Sequence, residues 1–359
     1  MDKSTASSSE YSRNGAYETE DEYKLLAEIS ISSLTELGKV ESSIIVPKQR
    51  AYINRWVISS SLADTSCATL DVRGLLNWFN ITLRTSYTLE NPSLLFLLED
   101  CIANNHDFGG VYSHLRPVWY TDDWHTVKDK LFSRGKEDKE ARQRALVGNR
   151  IVRTNVPVRR IWDLYSNRVV SSWVTYRSPL PISHAWMDEK DRVEVWTPIN
   201  GYEWPVPIPK DANLDLIRIE MLNLGAEYVW LDVLCLRQKG GPRKHLRAEE
   251  WKLDVPTIGN VYHDNTVVCY LNGLGRPLNL TAGYLESDRC WFRRAWTLQE
   301  IGVRRIIVGD TPDGPLHTEL IEEGSSHQEE ILTRFHTQLR SLENIAMRSF
   351  AIFGVLADM

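Results

Sequence analysis

The pair Trp296 and Glu300 has the residue types and the spacing for chemistry on a ligand. The two residues lie four apart in residues 291–301, where the pattern predicts a helix, so their side chains would share one helical face. An aromatic ring beside a carboxylate suits a sugar or a nucleoside, because the ring stacks on the ligand while the carboxylate binds hydroxyls or stabilises developing positive charge. The alternative is that Glu300 forms a structural ion pair with Arg293 or Arg294.

Polar residues also follow two predicted strands, at residues 180–186 and 228–234. In parallel α/β sheets, ligands bind at the carboxyl ends of the strands. The substrate-binding candidates at these ends are Ser183, Trp186, Asp232 and Arg237. A structural role competes for each, and an ionised Asp inside a sheet needs a partner in either case.

A cysteine-based site has less support. Cys235 is expected to be a small buried residue, and its pairing in space with His184, as in a Cys/His hydrolase, is the less favoured alternative. The five cysteines are widely spaced, odd in number and free of any C-x-x-C motif, so neither a disulfide framework nor a metal site is predicted.

The sequence argues against several other enzyme classes, because their motifs are absent from it. There is no GxxxxGK[ST], HExxH or GxSxG, and Gly273-x-Gly275 is a weak match to a dinucleotide fingerprint because Arg276 and Pro277 follow it. No resident cofactor is predicted. The net charge of −6 argues against a protein that coats nucleic acid or an anionic membrane.

The elements that must position these residues fall in residues 156–312. Strands predicted at 180–186, 228–234, 266–271 and 303–308 alternate with helices predicted at 211–224, 251–262 and 291–301. Such alternation predicts an α/β domain with a parallel sheet. Asp211 is placed to cap the first of these helices and Gly225 to end it. Nine of the 13 Trp lie within residues 162–296, which predicts that most of them build this core.

The rest of the chain divides by composition. Residues 1–22 carry six acids and predict a disordered acidic tail, residues 23–155 predict a mainly helical region with a basic linker, and residues 313–359 predict a helical segment that could be truncated. Helices are predicted around residues 25–34, 75–83 and 94–102 from their apolar spacing.

The basic stretch at residues 125–160 holds 11 Lys/Arg and four acids. A solvated helix at 128–146 with a basic linker is preferred to a nucleic-acid site, because aromatic residues that could stack on bases are nearly absent. With no signal peptide and no apolar span, the sequence predicts a cytoplasmic, soluble protein that does not cross the membrane.

Five ordered blocks within residues 180–310 share a composite pattern. They are residues 183–186 (SHAW), 209–212 (PKDA), 228–238 (YVWLDVLCLRQ), 249–262 (beginning EEW and ending VY) and 291–300 (WFRRAWTLQE). Together they resemble the fungal heterokaryon-incompatibility (HET) domain, whose blocks include S-Y-x-W, Y-x-W-I-D-x-L-C-I-x-Q and R-x-W-T-(L/F)-Q-E. This chain departs from the pattern at His184, Met187 and Pro256, which affects the expected loop geometry near the first strand.

The resemblance implies a role in fungal non-self recognition and programmed cell death. HET domains resemble TIR domains, some of which cleave NAD+ with a glutamate in a W-x-x-x-E helix, and residues 296–300 have that spacing. It therefore implies a TIR-like fold, NAD+ as substrate, Glu300 as the catalytic carboxylate and Trp296 as a supporting wall. It further implies self-association into a homo-oligomer and an activating protein partner. The alternative is a non-enzymatic death-signalling module that acts only by assembly.

Overall fold

A computed structural model describes residues 27–32, 49–54, 56–121, 123–175, 177–263, 265–276, 290–293, 300, 304–308, 310–311, 314–315, 337–338 and 341. The strands are β1 Ala27–Ser32, β2 Gln49–Asn54, β3 Leu146–Val147, β4 Arg150–Ile151, β5 Arg160–Asp163, β6 Arg168–Ser171, β7 Leu180–His184, β8 Arg192–Val195, β9 Val206–Pro209, β10 Tyr228–Leu231, β11 Thr266–Tyr270, β12 Arg304–Val308, β13 Asp310–Thr311 and β14 Gly314–Pro315. The α-helices are α1 Ser60–Ala63, α2 Cys67–Leu83, α3 Pro92–Ala103, α4 Phe108–Leu115, α5 Val127–Ala145, α6 Leu214–Asn223, α7 Asp232–Cys235, α8 Leu246–Asp254 and α9 Gly259–His263. Single 3₁₀ turns occur at Arg116–Val118, Trp124–Thr126, Ser172–Val174, Glu189–Asp191, Pro198–Asn200 and Trp291–Arg293.

The helical N-terminal region matches its prediction from residue 60 onwards. Helices α2 and α3 contain the apolar patterns predicted at 75–83 and 94–102, and α5 matches the solvated helix predicted at 128–146 to within one residue at each end. Phe79 of α2 stacks on Trp119 with ring centroids 4.1 Å apart, and both rings are fully buried. The predicted helix around residues 25–34 is wrong. Strand β1 pairs there antiparallel with β2, because Ala27-Glu28-Ile29-Ser30-Ile31-Ser32 alternates with the period of a strand.

The central sheet has six strands in the order β12-β11-β7-β10-β5-β6. Four neighbouring strands, β12, β11, β7 and β10, run parallel, which confirms the predicted α/β class. Strands β5 and β6 form an antiparallel hairpin on the β10 side, so the sheet is mixed rather than wholly parallel. The hairpin was not predicted, because Arg160-Ile161-Trp162-Asp163 and Arg168-Val169-Val170-Ser171 are only four residues each.

The four parallel strands, in chain order, are β7, β10, β11 and β12. Across the sheet they lie in the order second, first, third and fourth. This is a doubly wound order, in which the chain leaves the first strand, β7, towards one side of the sheet and later returns to the other. Such sheets bind ligands outside the carboxyl ends of the strands where the order reverses, here between β7 and β11. All four residues of β10 are buried, as expected for a strand covered on both faces.

Helices cover the two faces of the sheet. On one face, the hydroxyl of Tyr270 in β11 donates to Glu220 of α6. On the other face, Trp230 of β10 packs edge-on against Tyr262 of α9, with ring centroids 5.7 Å apart. Trp162, Trp204, Trp230 and Trp291 are among the largest fully buried side chains, in line with the predicted aromatic core.

Three local predictions near the site need correction. Strand β10 ends at Leu231, and Asp232 begins the short helix α7 instead of lying inside a strand. Helix α6 is capped by Asn213, whose Oδ1 accepts from the N–H groups of Asp215 and Leu216, and not by Asp211. The helix predicted at 251–262 is two helices, α8 and α9, separated around Pro256, whose ring cannot continue a helix from the preceding turn.

Within the described part of the chain, no helix combines the length and the apolar character needed to cross a membrane. The predicted acidic tail at residues 1–22 lies outside the described residues, as does nearly all of the predicted C-terminal helical segment.

Candidate functional site

Ser183 and Glu300, 117 residues apart in the sequence, meet at the carboxyl end of β7. The Ser183 hydroxyl donates to Glu300 Oε2 at 2.5 Å and accepts from Trp291 Nε1 at 2.6 Å. Both distances are at the short end of the range for hydrogen bonds. All three residues are buried, with Glu300 only 7% exposed. Ser183 therefore links the indole to the carboxylate and fixes the position of Glu300.

A second pair, His184 and Asp232, joins the ends of β7 and β10. His184 Nε2 lies 2.9 Å from Asp232 Oδ1, and His184 Nδ1 lies 3.2 Å from the carbonyl oxygen of Ala185. Asp232 Oδ1 also accepts from the N–H of Val233 at 2.7 Å at the start of α7. Both ring nitrogens of His184 therefore lie within hydrogen-bond distance of an oxygen atom.

The two pairs lie on opposite faces of the sheet. Consecutive residues of a strand point to opposite faces, so Ser183 and His184 cannot serve the same side of β7. His184 is in register with Tyr270, which faces α6, whereas Ser183 is in register with Cys269. The structure thus brings Ser183 to Glu300 and His184 to Asp232, but it does not gather all four into one cluster.

Three residues that the sequence analysis did not propose for the site lie where the strand order reverses, between β7 and β11. Met187 follows β7, and Gly273 and Arg276 follow β11. Gly273 has φ +113°, and a Cβ there would come within 3.0 Å of Met187 Sδ, so only glycine allows this close approach. The strand-end rule applied to the third parallel strand would have found Gly273 and Arg276, because both lie in the segment that follows β11.

One ion pair and two contacts with an aromatic ring border this edge. Arg276 Nε donates to Asp211 Oδ2 at 2.9 Å, and both side chains are about one-third exposed. Trp186 is half-buried, with its ring 5.5 Å from the His184 ring and the Arg192 guanidinium 5.4 Å from the indole centroid. Trp186 thus lies on the His184 side of the candidate site.

Arg237 is held in a separate ionic network. Its guanidinium binds Glu250 at 3.2 Å and Glu203 at 2.9 Å, and it lies 5.0 Å from the ring centroid of Trp204. These contacts hold the Arg237 side chain inside the fold, where the residue is only 3% exposed. They give Arg237 a structural role that competes with its predicted role in binding substrate.

Cys235 does not have the properties of a nucleophile. Burial raises the pKa of its thiol to about 12, so the reactive thiolate is scarce at neutral pH. His184 binds Asp232 instead of pairing with this thiol. The less favoured Cys/His reading therefore finds no support in the geometry.

Trp296, the predicted supporting wall, lies outside the described residues, as do the side chains of Arg293 and Arg294. Among the described residues, no group of three His, Cys, Asp or Glu side chains could hold a metal ion. Comparison of the chain with protein-family models, curated proteins and solved structures found no match. Its function therefore has to be argued from the site itself.

Proposed function

We propose that this chain is a HET-type protein of fungal non-self recognition and that it promotes programmed cell death by cleaving NAD+. The proposal is carried by the 2.5 Å contact between Ser183 and Glu300. Ser183 belongs to the first HET-like block and Glu300 to the last, and the fold joins these distant blocks through one buried hydrogen bond. The parallel strands and their order support the TIR-like fold that forms part of the proposal.

The chemistry requires only one well-placed carboxylate. As the bond between nicotinamide and ribose breaks, its electron pair leaves with neutral nicotinamide, and C1′ of the ribose gains oxocarbenium character. Glu300 stabilises this positive charge and then accepts a proton from the water that adds to C1′. The products are nicotinamide and ADP-ribose, and no cofactor is consumed.

Ser183 and Trp291 position the carboxylate for this role. The Ser183 hydroxyl occupies one oxygen of Glu300, and the indole N–H of Trp291 holds that hydroxyl in place. Because Glu300 is 7% exposed, the substrate reaches it only after a local rearrangement. Activation by self-association, or by a protein partner, would supply that rearrangement.

Nicotinamide release from NAD+ by the purified, concentrated chain tests the proposal. Glu300→Gln keeps the shape of the side chain but removes its charge, so release should fall by about 100-fold or more. Glu249→Gln is the matched control, because Glu249 is an exposed glutamate on α8, and it should leave the rate unchanged. Release that persists in Glu300→Gln would remove this residue from the mechanism.

The second candidate function, a non-enzymatic death-signalling module, makes the opposite prediction. It expects no nicotinamide at any protein concentration, including concentrations at which the chain associates with itself. Ser183→Ala also distinguishes the two functions. In the enzyme it should slow nicotinamide release about tenfold, because the Glu300 carboxylate loses its donor. In the signalling module it should leave self-assembly intact.

A further inference from the structure

Strands β8 and β9 form a two-stranded sheet of their own, outside the central sheet. The chain enters this hairpin directly from β7 and leaves it towards α6. Within the described part of the chain, β8 pairs with β9 and with no other strand. Each outer edge of a two-stranded sheet presents backbone N–H and C=O groups to which a further strand can bind.

Prolines close the outer edge of β9. The N–H of Lys210 donates to the carbonyl of Asp191 at 3.1 Å, which sets the alternation of hydrogen-bonded pairs between the two strands. By this alternation the nitrogens of Pro207 and Pro209 face away from β8. Because a proline nitrogen carries no hydrogen, the outer edge of β9 has no donor at either position, and a further strand is disfavoured there.

The outer edge of β8 is open by the same alternation. The N–H and C=O groups of Glu194 and the C=O group of Arg192 face away from β9, whereas the N–H of Arg192 donates to Glu189 O. Residues Arg192–Val195 include no proline. Val193 is 41% exposed in the folded chain, and Glu194 is exposed as well. Strand β8 therefore offers a donor and acceptors at an accessible edge.

The charges of β8 complement one another when two copies of the strand pair antiparallel. With the two-fold axis at Val193, Arg192 of each copy lies opposite Glu194 of the other. Each Glu194 N–H can then donate to the Arg192 carbonyl of the other copy. With the axis at Glu194 instead, two carboxylates would oppose each other, which destabilises a sheet. The edge therefore favours one occupant, a second copy of this chain, in one register.

Neighbouring side chains hold this edge in a fixed position. The half-buried Arg192 places its guanidinium 5.4 Å from the ring centroid of Trp186. At the other end of β8, the buried Trp204 of the connecting loop donates from Nε1 to the carbonyl of Val233 at 3.0 Å. An edge that is already ordered loses little conformational entropy on pairing.

Two exposed aromatic residues extend the surface beyond the strand. Trp196, directly after β8, is 52% exposed, and Tyr202 is 54% exposed. The N–H of Tyr202 donates to the carbonyl of Thr197 at 3.1 Å, so both residues lie near the same end of β8. Tyr202 also has φ +56°, which is uncommon for a large side chain. The rings add apolar area to the hydrogen bonds of the edge, as a stable interface requires.

We propose that two copies of this chain form a symmetric dimer by antiparallel pairing of their β8 strands about Val193. The pairing joins two hairpins into one four-stranded sheet, β9-β8-β8-β9. The prolines of β9 then lie at both outer edges, so the assembly ends at the dimer instead of growing into a fibre. The proposal gives a surface to the self-association named in the proposed function, but it rests on the hairpin alone.

Charge reversal tests the pairing. Analytical ultracentrifugation of the purified chain should show a dimer whose proportion rises with concentration. Arg192→Glu and Glu194→Arg each place like charges opposite each other, so each should raise the dimer Kd about tenfold. A mixture of the two variants restores opposite charges at both contacts and should form heterodimers with a Kd close to the original. Arg150→Glu, at an exposed arginine of β4, is the control and should leave the Kd unchanged.

Val193→Cys tests the register. The two copies of residue 193 would form a non-hydrogen-bonded pair with Cα atoms about 4.5 Å apart, a distance that a disulfide can span. Mild oxidation should therefore link two copies of Val193→Cys. The control Val152→Cys, at a position that is 52% exposed, should stay unlinked under the same conditions.

Glu194→Pro closes the edge of β8 in the way that prolines close β9. Because the Glu194 N–H faces outwards, the change removes no hydrogen bond of the hairpin, and the circular dichroism spectrum should match that of the original chain. The dimer Kd should rise about 100-fold, since both bonds donated by this N–H are lost along with the charge.

A chain that stays monomeric at millimolar concentration would overturn the proposal and leave this edge to a strand of another protein. A dimer with the same Kd in Glu194→Pro, a mixture of the charge variants without heterodimers, or a dimer without the Val193→Cys link would overturn it as well. Glu300→Gln should dimerise like the original chain. Loss of NAD+ cleavage and loss of the dimer are therefore measured separately.

Discussion

Ser183 and His184 are adjacent in the sequence, yet each belongs to a different group of side chains. Ser183 donates to Glu300 at 2.5 Å, whereas His184 contacts Asp232 at 2.9 Å on the opposite face of β7. The alternation of a strand requires this separation, so a substitution at one position need not affect the other pair. His184 is therefore a poor candidate for direct proton transfer to Ser183.

Glu250 ties together two arginines and should make stability depend on pH. Although burial raises its pKa, the hydrogen bonds and charges of Arg160 and Arg237 lower it overall below the ordinary value of 4.5. A carboxylate with a lowered folded-state pKa contributes stability above its unfolded-state pKa, and this contribution is lost as the pH falls through the folded-state value. The free energy of unfolding should therefore decrease below about pH 4.5 partly through Glu250.

Denaturant unfolding measured from neutral to acid pH checks this contribution. Glu250→Gln should be less stable than the original chain at pH 7, and the difference should shrink as the pH falls. The exposed neighbour Glu249, changed to Gln, should follow the pH profile of the original chain. A constant difference between Glu250→Gln and the original chain at all pH values would contradict the assignment.

At the scale of elements, helix α6 begins where a side chain satisfies its first N–H groups. Asn213 Oδ1 accepts from Asp215 N at 2.8 Å and from Leu216 N at 3.4 Å, whereas Asp211 binds Arg276. Asn213→Ala should lower the free energy of unfolding by about 1 kcal/mol, because it leaves these donors to water alone. Asp211→Ala removes only a partly exposed ion pair and should cost less. If denaturant unfolding showed a larger loss of stability for Asp211→Ala than for Asn213→Ala, Asp211 would be the capping residue.

A helix or strand could be predicted from the sequence when its apolar pattern extended over enough residues. Strand β11 has a clear apolar pattern over its length and was predicted near its observed bounds, whereas the pattern at residues 75–83 covers only the second half of helix α2. Strand β1 was missed because Leu25, Leu26, Ile29 and Leu34 also fit a helical spacing, and only pairing with β2 decides between the two. Local pattern carries no information about such long-range pairing.

Only part of the candidate site could be predicted, because local sequence patterns do not show which distant residues meet. The strand-end rule selected Ser183 and Asp232, the spacing of Trp296 and Glu300 selected Glu300, and the family resemblance gave Glu300 its catalytic role. Their partners could not be read from the sequence, because the meeting of Ser183 with Glu300 depends on the order of the parallel strands. Arg237 has the same charge whether it binds a ligand or Glu203 and Glu250, so only the fold shows its ionic partners.

At the scale of the whole molecule, the helical region and the sheet share one hydrophobic core. The same cluster of buried residues runs from Val57 and Phe79 to Ile182 and Val268. Ionic contacts reinforce the junction, since Arg168 of β6 binds Asp107 at 3.0 Å and Asp64 at 2.6 Å. The two regions should therefore unfold together instead of melting as separate domains.

Arg218 of α6 also forms hydrogen bonds across this junction. It is fully buried and donates to the carbonyls of Ile58 and Leu164, each at 2.8 Å. Burial lowers its pKa only to about 10, so the guanidinium stays charged at neutral pH. It also donates to Tyr165 O at 3.3 Å, which places three carbonyl acceptors around one cation.

Arg218→Met keeps much of the buried volume but removes the guanidinium donor from the carbonyls of Ile58 and Leu164, whereas Tyr165 O still accepts from the N–H of Ile58. The free energy of unfolding should fall by about 2–4 kcal/mol, because each unsatisfied buried acceptor costs about 1–3 kcal/mol. The matched change Arg150→Met, at an exposed arginine, should cost little. Thermal unfolding followed by circular dichroism and by tryptophan fluorescence should show one coincident transition in every variant, shifted to lower temperature in Arg218→Met. Two separate transitions in the original chain would show that the helical region and the sheet are independent, and the shared core would then not couple them.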